Sequence, residues 1–274
     1  MGLLRNLKIA LKTLASLPPS AAIRLFELAR LPPEELSALR TLAVREADRP
    51  ERIQEERDLL EHYKDACSQY HLWYYNTKVW EKTRFLGHSA LKSVSDLWNY
   101  QEILFELKPQ IILEFGACAG GGSLFFSKTL QSISPRSKVL SVDITLSAVA
   151  PELKFYPHIE FMECSSTDSR VAERIKTLRT EFPGPIFAIL DSDHSMNHVL
   201  AELKSLRPLT RPGDYVVVED SNINGHPVLP NWGPGPYEAI QAYFQEFPDD
   251  YEHDQDRAEK FGFSFATNGF LIRK

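Results

Sequence analysis

The sequence lacks the features that mark secreted, membrane-spanning and nucleic-acid-binding proteins. Three cysteines occur in 274 residues, Cys67, Cys118 and Cys164, and they form neither a CxxC pair nor an even-numbered disulfide framework. No apolar run approaches the roughly 18 residues that a membrane span needs. The formal net charge is -6 and no long basic run occurs, so no nucleic-acid partner is expected. We therefore expect a cytoplasmic protein whose thiols pack as small apolar groups.

The first 75 residues are rich in charge and have helical patterning. Apolar residues at helical spacing are Leu3, Leu4, Leu7, Leu11 and Leu14. Lys8 and Lys12 lie off this stripe and interrupt the apolar stretch, so we interpret it as an amphipathic helix that stays on the protein. Residues 1–75 are predicted to be a helical extension that carries the contacts of a homo-oligomer or a lid. Peripheral membrane contact through the basic helix is the alternative.

Apolar runs alternate with helical patterns from about residue 96 onward. The predicted strands span 110–115, 138–144, 159–164, 185–191 and 215–220, and a last strand covers "GFLIRK" at the end. These runs do not alternate apolar with polar residues, which is typical of parallel βαβ units buried on both faces. The predicted fold class is α/β, with a doubly wound, mostly parallel, Rossmann-like sheet over residues 76–274. Such sheets bind ligands at the carboxyl ends of their strands.

A glycine-rich segment, "LEFGACAGGGS", follows the first of these strands. It places Glu114 near the strand end, then Gly116, then three glycines that open a helix. The spacing differs from the GxGxxG pattern of dinucleotide-binding loops. An acid before the first glycine of a wider loop is typical of the S-adenosylmethionine (SAM) loop of class I methyltransferases. Asp143 ends the second strand, where a carboxylate can accept hydrogen bonds from both ribose hydroxyls.

Two serines follow the third predicted strand. Ser165 and Ser166 lie where we expect the adenine edge of the cofactor, and helix capping together with Asp168 is the alternative interpretation.

Four acids follow the fourth and fifth predicted strands, which we expect to be neighbours in the sheet. They are Asp191, Asp193, Glu219 and Asp220. Carboxylates that lie close together raise each other's pKa unless a cation compensates their charge. Mg²⁺ prefers oxygen ligands and keeps open positions for a substrate. The sequence therefore predicts a magnesium site at Asp193, Glu219 and Asp220, although any one of these acids could instead cap a helix or pair with Arg or Lys.

His194 is the predicted catalytic base, because its ordinary pKa lies near neutrality; a structural hydrogen-bonded role is the alternative. His226 is a second candidate, in the long loop "SNINGHPVLPNWGPGP", whose Gly and Pro content is typical of a functional lid. Four aromatic residues precede the core, Trp73, Tyr74, Tyr75 and Trp80. They are expected to pack between the extension and the core or to stack on a sugar.

Three segments of the chain closely resemble the cephalosporin hydroxylase family. They are "DLWNYQEILFELKPQIILEFGACAGGG", "LDSDHSMNHVLAELKSLRPLTRPGDYVVVEDSN" and "GPGPYEAIQAYFQEF" with the C-terminal "EKFGFSFATNGFLIRK". The resemblance covers about residues 80–274. It implies a SAM-dependent, Mg²⁺-assisted O-methyltransferase, as in the family's cephalosporin 7-methoxylation protein and rhamnosyl O-methyltransferases.

The resemblance also implies roles for individual residues. The family's magnesium ligands correspond to Asp193, Glu219 and Asp220. Its SAM contacts correspond to Glu114, Gly116, Ala117, Gly120, Gly121, Asp143, Ser165, Ser166 and Asp191. The chain departs from the family at Gly122, where serine is usual, and at Cys164, where glycine is usual.

The predicted activity is methylation of a hydroxyl on a sugar, glycolipid, polysaccharide or natural-product scaffold. A non-catalytic SAM-binding partner of another tailoring enzyme is the alternative. An NAD-linked oxidoreductase would need the GxGxxG loop that is absent here. An oxygenase would need two histidines and a carboxylate arranged around iron, which the spacing of His194 and His198 does not indicate.

Overall fold

The structure is a computed structural model that describes Glu55, Asp58, Leu59 and residues 61–274. The chain divides into two compact units, Met1–His62 and Tyr63–Lys274. The predicted N-terminal amphipathic helix lies outside the described residues. Helix α1 (Lys64–Asn76) belongs to the second unit, so this unit begins before the predicted boundary at residue 75. Among the described helices, none is long and apolar enough to cross a membrane.

One mixed sheet organises the second unit. A short antiparallel hairpin, β1 (Arg84–Phe85) and β2 (His88–Ser89), precedes it. The strands of the sheet are β3 (Ile111–Phe115), β4 (Lys138–Asp143), β5 (Ile159–Glu163), β6 (Ile186–Leu190), β7 (Tyr215–Val218), β8 (Tyr251–His253) and β9 (Phe270–Arg273). Their order is β5-β4-β3-β6-β7-β9-β8, and all pairs are parallel except those that β9 makes. The predicted doubly wound, mostly parallel sheet is confirmed.

Helices cover both faces of this sheet. They are α2 (Val94–Leu107), α3 (Gly121–Ile133), α4 (Ser169–Glu181), α5 (Met196–Leu206), α6 (Pro236–Glu246) and α7 (Gln255–Glu259). Successive side chains of a strand point to opposite faces. Ile111 and Leu113 therefore join a core with α4, α5 and α6, whereas Ile112 joins a core with α2 and α3. Both cores are fully closed from water at β3, which makes this strand a rigid support for the loop that follows it.

Helix α1 packs on the segment before β9 through aromatic side chains. Tyr74 forms a buried cluster with Phe263 and Phe265, and Tyr75 and Trp80 pack against this cluster. The ring centroids of Tyr75 and Phe265 lie 5.4 Å apart. Of the aromatic residues singled out in the sequence, Trp73 differs, because it is 52% exposed. The other three supply packing that fixes α1 on the sheet-bearing unit.

Candidate active site

The loop between β3 and α3 lies directly against the backbone that follows β6. Gly116 has a φ of +100°, and a Cβ at this position would lie 1.9 Å from the carbonyl oxygen of Asp191. Gly120 has a φ of +81° and its N–H donates to the carbonyl of Ala117 at 2.8 Å. Glycine adopts both conformations without strain, and at Gly116 it also leaves room for the backbone of Asp191. The glycines at the predicted cofactor loop are therefore required by its geometry.

The run of three glycines lets α3 begin against two other segments. A Cβ on Gly121 would lie 2.2 Å from the carbonyl oxygen of Ser89 in the hairpin. A Cβ on Gly122 would lie 2.4 Å from Oε1 of Glu114. A serine at 122, which is usual in the family, would therefore require the Glu114 side chain to shift from the position it has here. The next residue, Ser123, supplies a hydroxyl that donates to Oε2 of Glu114.

Glu114 is buried beneath the glycine loop, where it is 1% exposed. Its Oε2 also accepts a hydrogen bond of 2.6 Å from the hydroxyl of Ser141 on β4. Burial raises the pKa of Glu114 to about 7, although nearby Lys92 and the two serine hydroxyls act in the opposite direction. The side chain thus joins β3, β4 and α3 from inside the protein. A direct contact of Glu114 with the cofactor stays a prediction.

Asp143 lies at the end of β4, beside the glycine loop. Its carboxylate accepts hydrogen bonds from the backbone N–H groups of Cys118 at 2.8 Å and Thr145 at 3.1 Å. A carboxylate has about four acceptor positions. Two of them are used here, so the remaining positions can accept from a ribose, as the sequence predicts.

The two serines after β5 have different partners. Ser165 shares a hydrogen bond of 2.9 Å with the hydroxyl of Thr167. Asp168 caps α4 by accepting from the N–H of Arg170 at 2.9 Å. Ser166 is buried and contacts His198 and Glu202 of α5. Helix capping therefore accounts for Asp168 but not for Ser166.

A cluster of possible metal ligands forms at the carboxyl ends of β6 and β7. One ligand atom each from Asp191, His194 and Asp220 lies within 4.8 Å of the other two. Nε2 of His194 is 3.4 Å from Oδ2 of Asp220. Asp220 has a φ of +53°, a conformation that is uncommon for a residue other than glycine and that concentrates at functional sites. Two carboxylates and an imidazole that meet in this way can bind a divalent cation.

The sequence predicts Asp193 and Glu219 as metal ligands, but the structure brings neither into this cluster. Asp193 is exposed, and its Oδ1 accepts from the N–H of Ser195 at 2.8 Å at the start of α5. The hydroxyl of Ser195 and this backbone N–H together lower the pKa of Asp193. Oε1 of Glu219 accepts from Nζ of Lys92 at 2.8 Å and from the hydroxyl of Tyr100 at 3.0 Å. Asp191, predicted as a cofactor contact, takes the place beside Asp220 instead.

Lys92 is the site residue that the sequence analysis missed. It is 2% exposed, and its ammonium lies 2.7 Å from Asp191 and 2.8 Å from Glu219. Burial alone lowers the pKa of Lys92, but the carboxylates of Asp191, Glu219 and Glu114 raise it further, so the net shift is upward. The lysine therefore stays charged and compensates the buried acids. The segment around it, "SALKSVSD", is mostly polar and gives no signal that this lysine is buried.

The two candidate bases have different surroundings. Burial lowers the pKa of His194, but Asp220, Asp191 and Glu219 raise it and the net shift is upward. Nε2 of His226 lies 2.9 Å from Oε1 of Glu238, and its ring stacks on Tyr237 at 3.7 Å between centroids. His226 is thus held by its own loop and helix. His194 is the histidine that lies among the acids.

Comparison with known proteins supports the resemblance seen in the sequence. Residues 77–274 match the family described as Rhamnosyl O-methyltransferase/CmcI. Rhamnosyl O-methyltransferases of Mycobacterium tuberculosis and Mycobacterium leprae are 58% and 59% identical over 208 residues, which is 76% of this chain and 85% and 90% of theirs. A solved CmcI structure with Mg and SAM has a TM-score of 0.56 at 23% identity and covers 71% of this chain and 77% of that one, which shows the same fold. The chain belongs to the rhamnosyl O-methyltransferase/CmcI family.

Proposed function

We propose that this protein is a SAM-dependent O-methyltransferase that methylates a hydroxyl of a rhamnosyl group with the help of Mg²⁺. One observation carries the proposal: the glycine loop that would hold SAM and the Asp191–His194–Asp220 cluster share a backbone contact, at Gly116 and Asp191. A methyl donor at the loop and an acceptor at the cluster would therefore be adjacent. The curated relatives, at 58% identity, are named for this reaction on a rhamnosyl acceptor.

The residues around the glycine loop fit SAM. The N-terminus of α3 begins at Gly121 and offers free N–H groups beside the loop. Asp143 retains acceptor positions for the ribose, as described above. Lys92 pairs with Asp191 and Glu219 at the carboxyl ends of β6 and β7, and Asp220 lies beside Asp191, so negative charge remains in excess there, which suits a sulfonium cation.

The acid cluster fits a divalent ion through its oxygen donors. Asp191 and Asp220 offer carboxylate oxygens, which Mg²⁺ prefers, and His194 beside them stays free to act as a base. When bound, the ion lowers the pKa of a coordinated hydroxyl and fixes its oxygen for reaction. A rhamnosyl group has hydroxyls on adjacent carbons, so two of its oxygens can reach one ion.

The chain's own residues then position the reaction and accept the proton. Lys92 and Tyr100 hold Glu219 in place beneath the cluster. His194 lies beside Asp220, whose carboxylate stabilises the imidazolium that forms when His194 takes the acceptor's proton. Methyl transfer itself is a direct displacement at the sulfonium methyl, so the protein contributes mainly position and electrostatics.

Location and assembly complete the proposal. Cys67, Cys118 and Cys164 are all unpaired, which supports the cytoplasmic location expected from the sequence. Homo-oligomer contacts and membrane contact through residues 1–75 stay predictions.

The first experiment is calorimetric titration of the purified protein with SAM and with NAD, each with and without Mg²⁺. We expect SAM to bind with a dissociation constant in the micromolar range, to within about tenfold. NAD should give no heat of binding. Methyl transfer from labelled SAM to a rhamnoside, with the matching glucoside as control, then tests the acceptor. Binding of NAD, or no binding of either cofactor, would contradict the proposal. SAM binding without transfer to any sugar would favour the non-catalytic partner.

The metal ligands are tested with three matched Asp→Asn variants. Asp220 belongs both to the cluster in the structure and to the set implied by the family, so Asp220→Asn should abolish Mg²⁺-stimulated turnover and leave SAM binding intact. Loss of metal binding in Asp191→Asn or in Asp193→Asn shows which of these two carboxylates binds the ion together with Asp220. Binding of Mn²⁺, measured by electron paramagnetic resonance, gives a readout that does not depend on activity. Equal loss of SAM and metal binding in Asp220→Asn would contradict this division.

A further inference from the structure

Tyr75, near the end of α1, lies beside the loop that carries Asp220. One turn earlier on the same helix, Nε2 of His71 lies 2.8 Å from Nδ2 of Asn222, which comes two residues after Asp220. The Tyr75 ring packs against Phe265 at 5.4 Å between centroids, and the carbonyl of Phe265 accepts a hydrogen bond of 3.2 Å from the N–H of Asn222. Two contacts on one face of α1 thus hold Tyr75 against the residues that follow β7.

The segment after α1 connects Tyr75 with the other side of the acid cluster. Nε1 of Trp80 donates a hydrogen bond of 3.2 Å to the carbonyl of Tyr75, and the two ring centroids lie 5.7 Å apart. The hydroxyl of Thr83 donates to the carbonyl of Trp80 at 2.7 Å and accepts from the N–H of Lys92 at 3.2 Å. The ammonium of Lys92 pairs in turn with Asp191. Two routes of contact therefore connect Tyr75 with both strand ends that supply the cluster.

The hydroxyl is the part of Tyr75 that can reach a molecule bound at the cluster. Phe265 and Trp80 cover the ring, and the residue is only partly buried. Burial and, second to it, the charge of Asp220 raise the pKa of Tyr75 to about 12, so this group is a phenol at neutral pH. Among the residues that the structure describes, none forms a hydrogen bond with this hydroxyl. A phenol held by packing beside the acids therefore has a proton to donate to a bound molecule.

We propose that Tyr75 is a specificity-determining residue whose hydroxyl donates a hydrogen bond to the one rhamnosyl hydroxyl that does not reach the metal ion. This inference rests on the proposed function, because it takes a rhamnosyl group at the acid cluster as the partner. A rhamnosyl group has three hydroxyls, on carbons 2, 3 and 4, and any adjacent pair includes carbon 3. The third hydroxyl is therefore the one on carbon 2 or carbon 4, and it needs a partner from the protein when it is buried.

The position of Tyr75 in the chain makes it suited to selecting the acceptor. Helix α1 ends at Asn76, and the match to the family begins at residue 77. The metal cluster and the glycine loop both lie within the matched residues, whereas Tyr75 reaches the site from outside them. A hydrogen bond from this helix would thus distinguish the acceptor of this chain without altering the machinery that the family shares.

The test measures kcat/KM for methyl rhamnoside and for its 2-deoxy and 4-deoxy forms in the wild type and in Tyr75→Phe. A form that is not methylated is measured as a competitive inhibitor. On methyl rhamnoside, Tyr75→Phe should lower kcat/KM by about 3- to 30-fold, mostly through KM, because it removes only the hydroxyl. On the deoxy form that lacks the contacted hydroxyl, the two proteins should agree to within about twofold. The dissociation constants of SAM and Mn²⁺ should also stay within about twofold of the wild type.

Tyr70→Phe is the matched control, because Tyr70 lies on the same helix and is 51% exposed. It should keep the wild-type values for every rhamnoside. An unchanged kcat/KM of Tyr75→Phe on methyl rhamnoside, or an equal loss with all three compounds, would overturn the proposal. A lower melting temperature of Tyr75→Phe together with weaker SAM binding would also overturn it, since the hydroxyl would then support the fold. Failure of the wild type to methylate any rhamnoside would instead refute the proposed function.

Discussion

Lys92 shows how one side chain sets the electrostatics of the site. Its ammonium lies between two acids that come from the ends of different strands, Asp191 after β6 and Glu219 after β7. Burying either acid without a counter-charge would cost several kcal/mol. The pairs span 99 and 127 residues of sequence, so no local pattern connects the lysine with its partners. Only the folded sheet brings the three charges together.

Replacing this lysine should destabilise the protein far more than replacing an exposed one. Lys92→Met keeps most of the side-chain volume but leaves Asp191 and Glu219 without their cation. We expect the free energy of unfolding to fall by about 3–5 kcal/mol. Urea denaturation at neutral pH measures this, with Lys154→Met as a control at an exposed lysine. Equal stability of the two variants would show that the acids find another counter-charge.

The acids after β6 mark the limit of prediction at the level of single residues. The sequence predicts that Asp191 and Asp193 follow a buried strand, and the structure agrees. It could not predict which carboxylate turns toward Asp220, because an aspartate before a helix suits capping as well as metal binding. The carboxylate of Asp193 instead accepts a hydrogen bond from the N–H of Ser195. By contrast, the tight loop at Gly116 was predictable from its glycine pattern. The close approach of the Asp191 backbone is the physical reason why only glycine fits there.

The longer elements were predictable because their apolar runs are long and uninterrupted. The predicted strands at 110–115, 138–144, 159–164, 185–191 and 215–220 correspond to β3–β7 within about two residues. The hairpin β1–β2 has strands of two residues each, and β8 has three. Such short strands have too few side chains to show a periodic pattern. They form because neighbouring backbone is already in place.

Helix α1 is anchored to the loop after β7 by a buried histidine. His71 is 4% exposed, and its Nε2 lies 2.8 Å from Nδ2 of Asn222. Its ring stacks on Phe263 at 4.6 Å. The amide of Asn222 donates to a neutral imidazole, and burial lowers the pKa of His71 to about 4. Since Asn222 comes two residues after Asp220, the helix supports the loop that carries the site.

This histidine should make stability depend on pH in a defined window. The pKa of His71 is about 4 in the folded protein, against an ordinary value of 6.5. Between these values the unfolded chain binds more protons, so the free energy of unfolding falls as pH drops from about 6.5 to about 4. The loss attributable to His71 approaches about 3 kcal/mol at the acid end.

The contribution of His71 is isolated by comparing variants across the same pH range. In His71→Gln the pH-dependent part should disappear, so the difference in stability from the wild type should shrink steadily from pH 7 toward pH 4. Urea denaturation at several pH values measures the slope. His158→Gln, at a histidine that is less buried, should keep the wild-type slope. A parallel slope for His71→Gln and the wild type would refute the assignment.

At the scale of the whole molecule, the sheet, both cores and the site all lie in the unit Tyr63–Lys274. The sequence pattern could not place the start of this unit, because helical patterning continues without a break through residue 75. Tertiary contacts define the start of this unit instead. Helix α1 covers Phe263 and Phe265, so it belongs with the sheet although the family match begins only at residue 77.

Two truncated chains test this boundary. A chain of residues 63–274 keeps α1 and should unfold cooperatively and bind SAM within about threefold of the full-length affinity. A chain of residues 77–274 spans the whole family match but exposes Phe263 and Phe265 and leaves Asn222 without its partner His71. It should melt at a clearly lower temperature or aggregate, since contiguous exposed apolar surface promotes association. Circular dichroism melts and calorimetry separate the two. Equal stability of both chains would show that α1 is dispensable, whereas failure of residues 63–274 to fold would place residues 1–62 inside the folding unit.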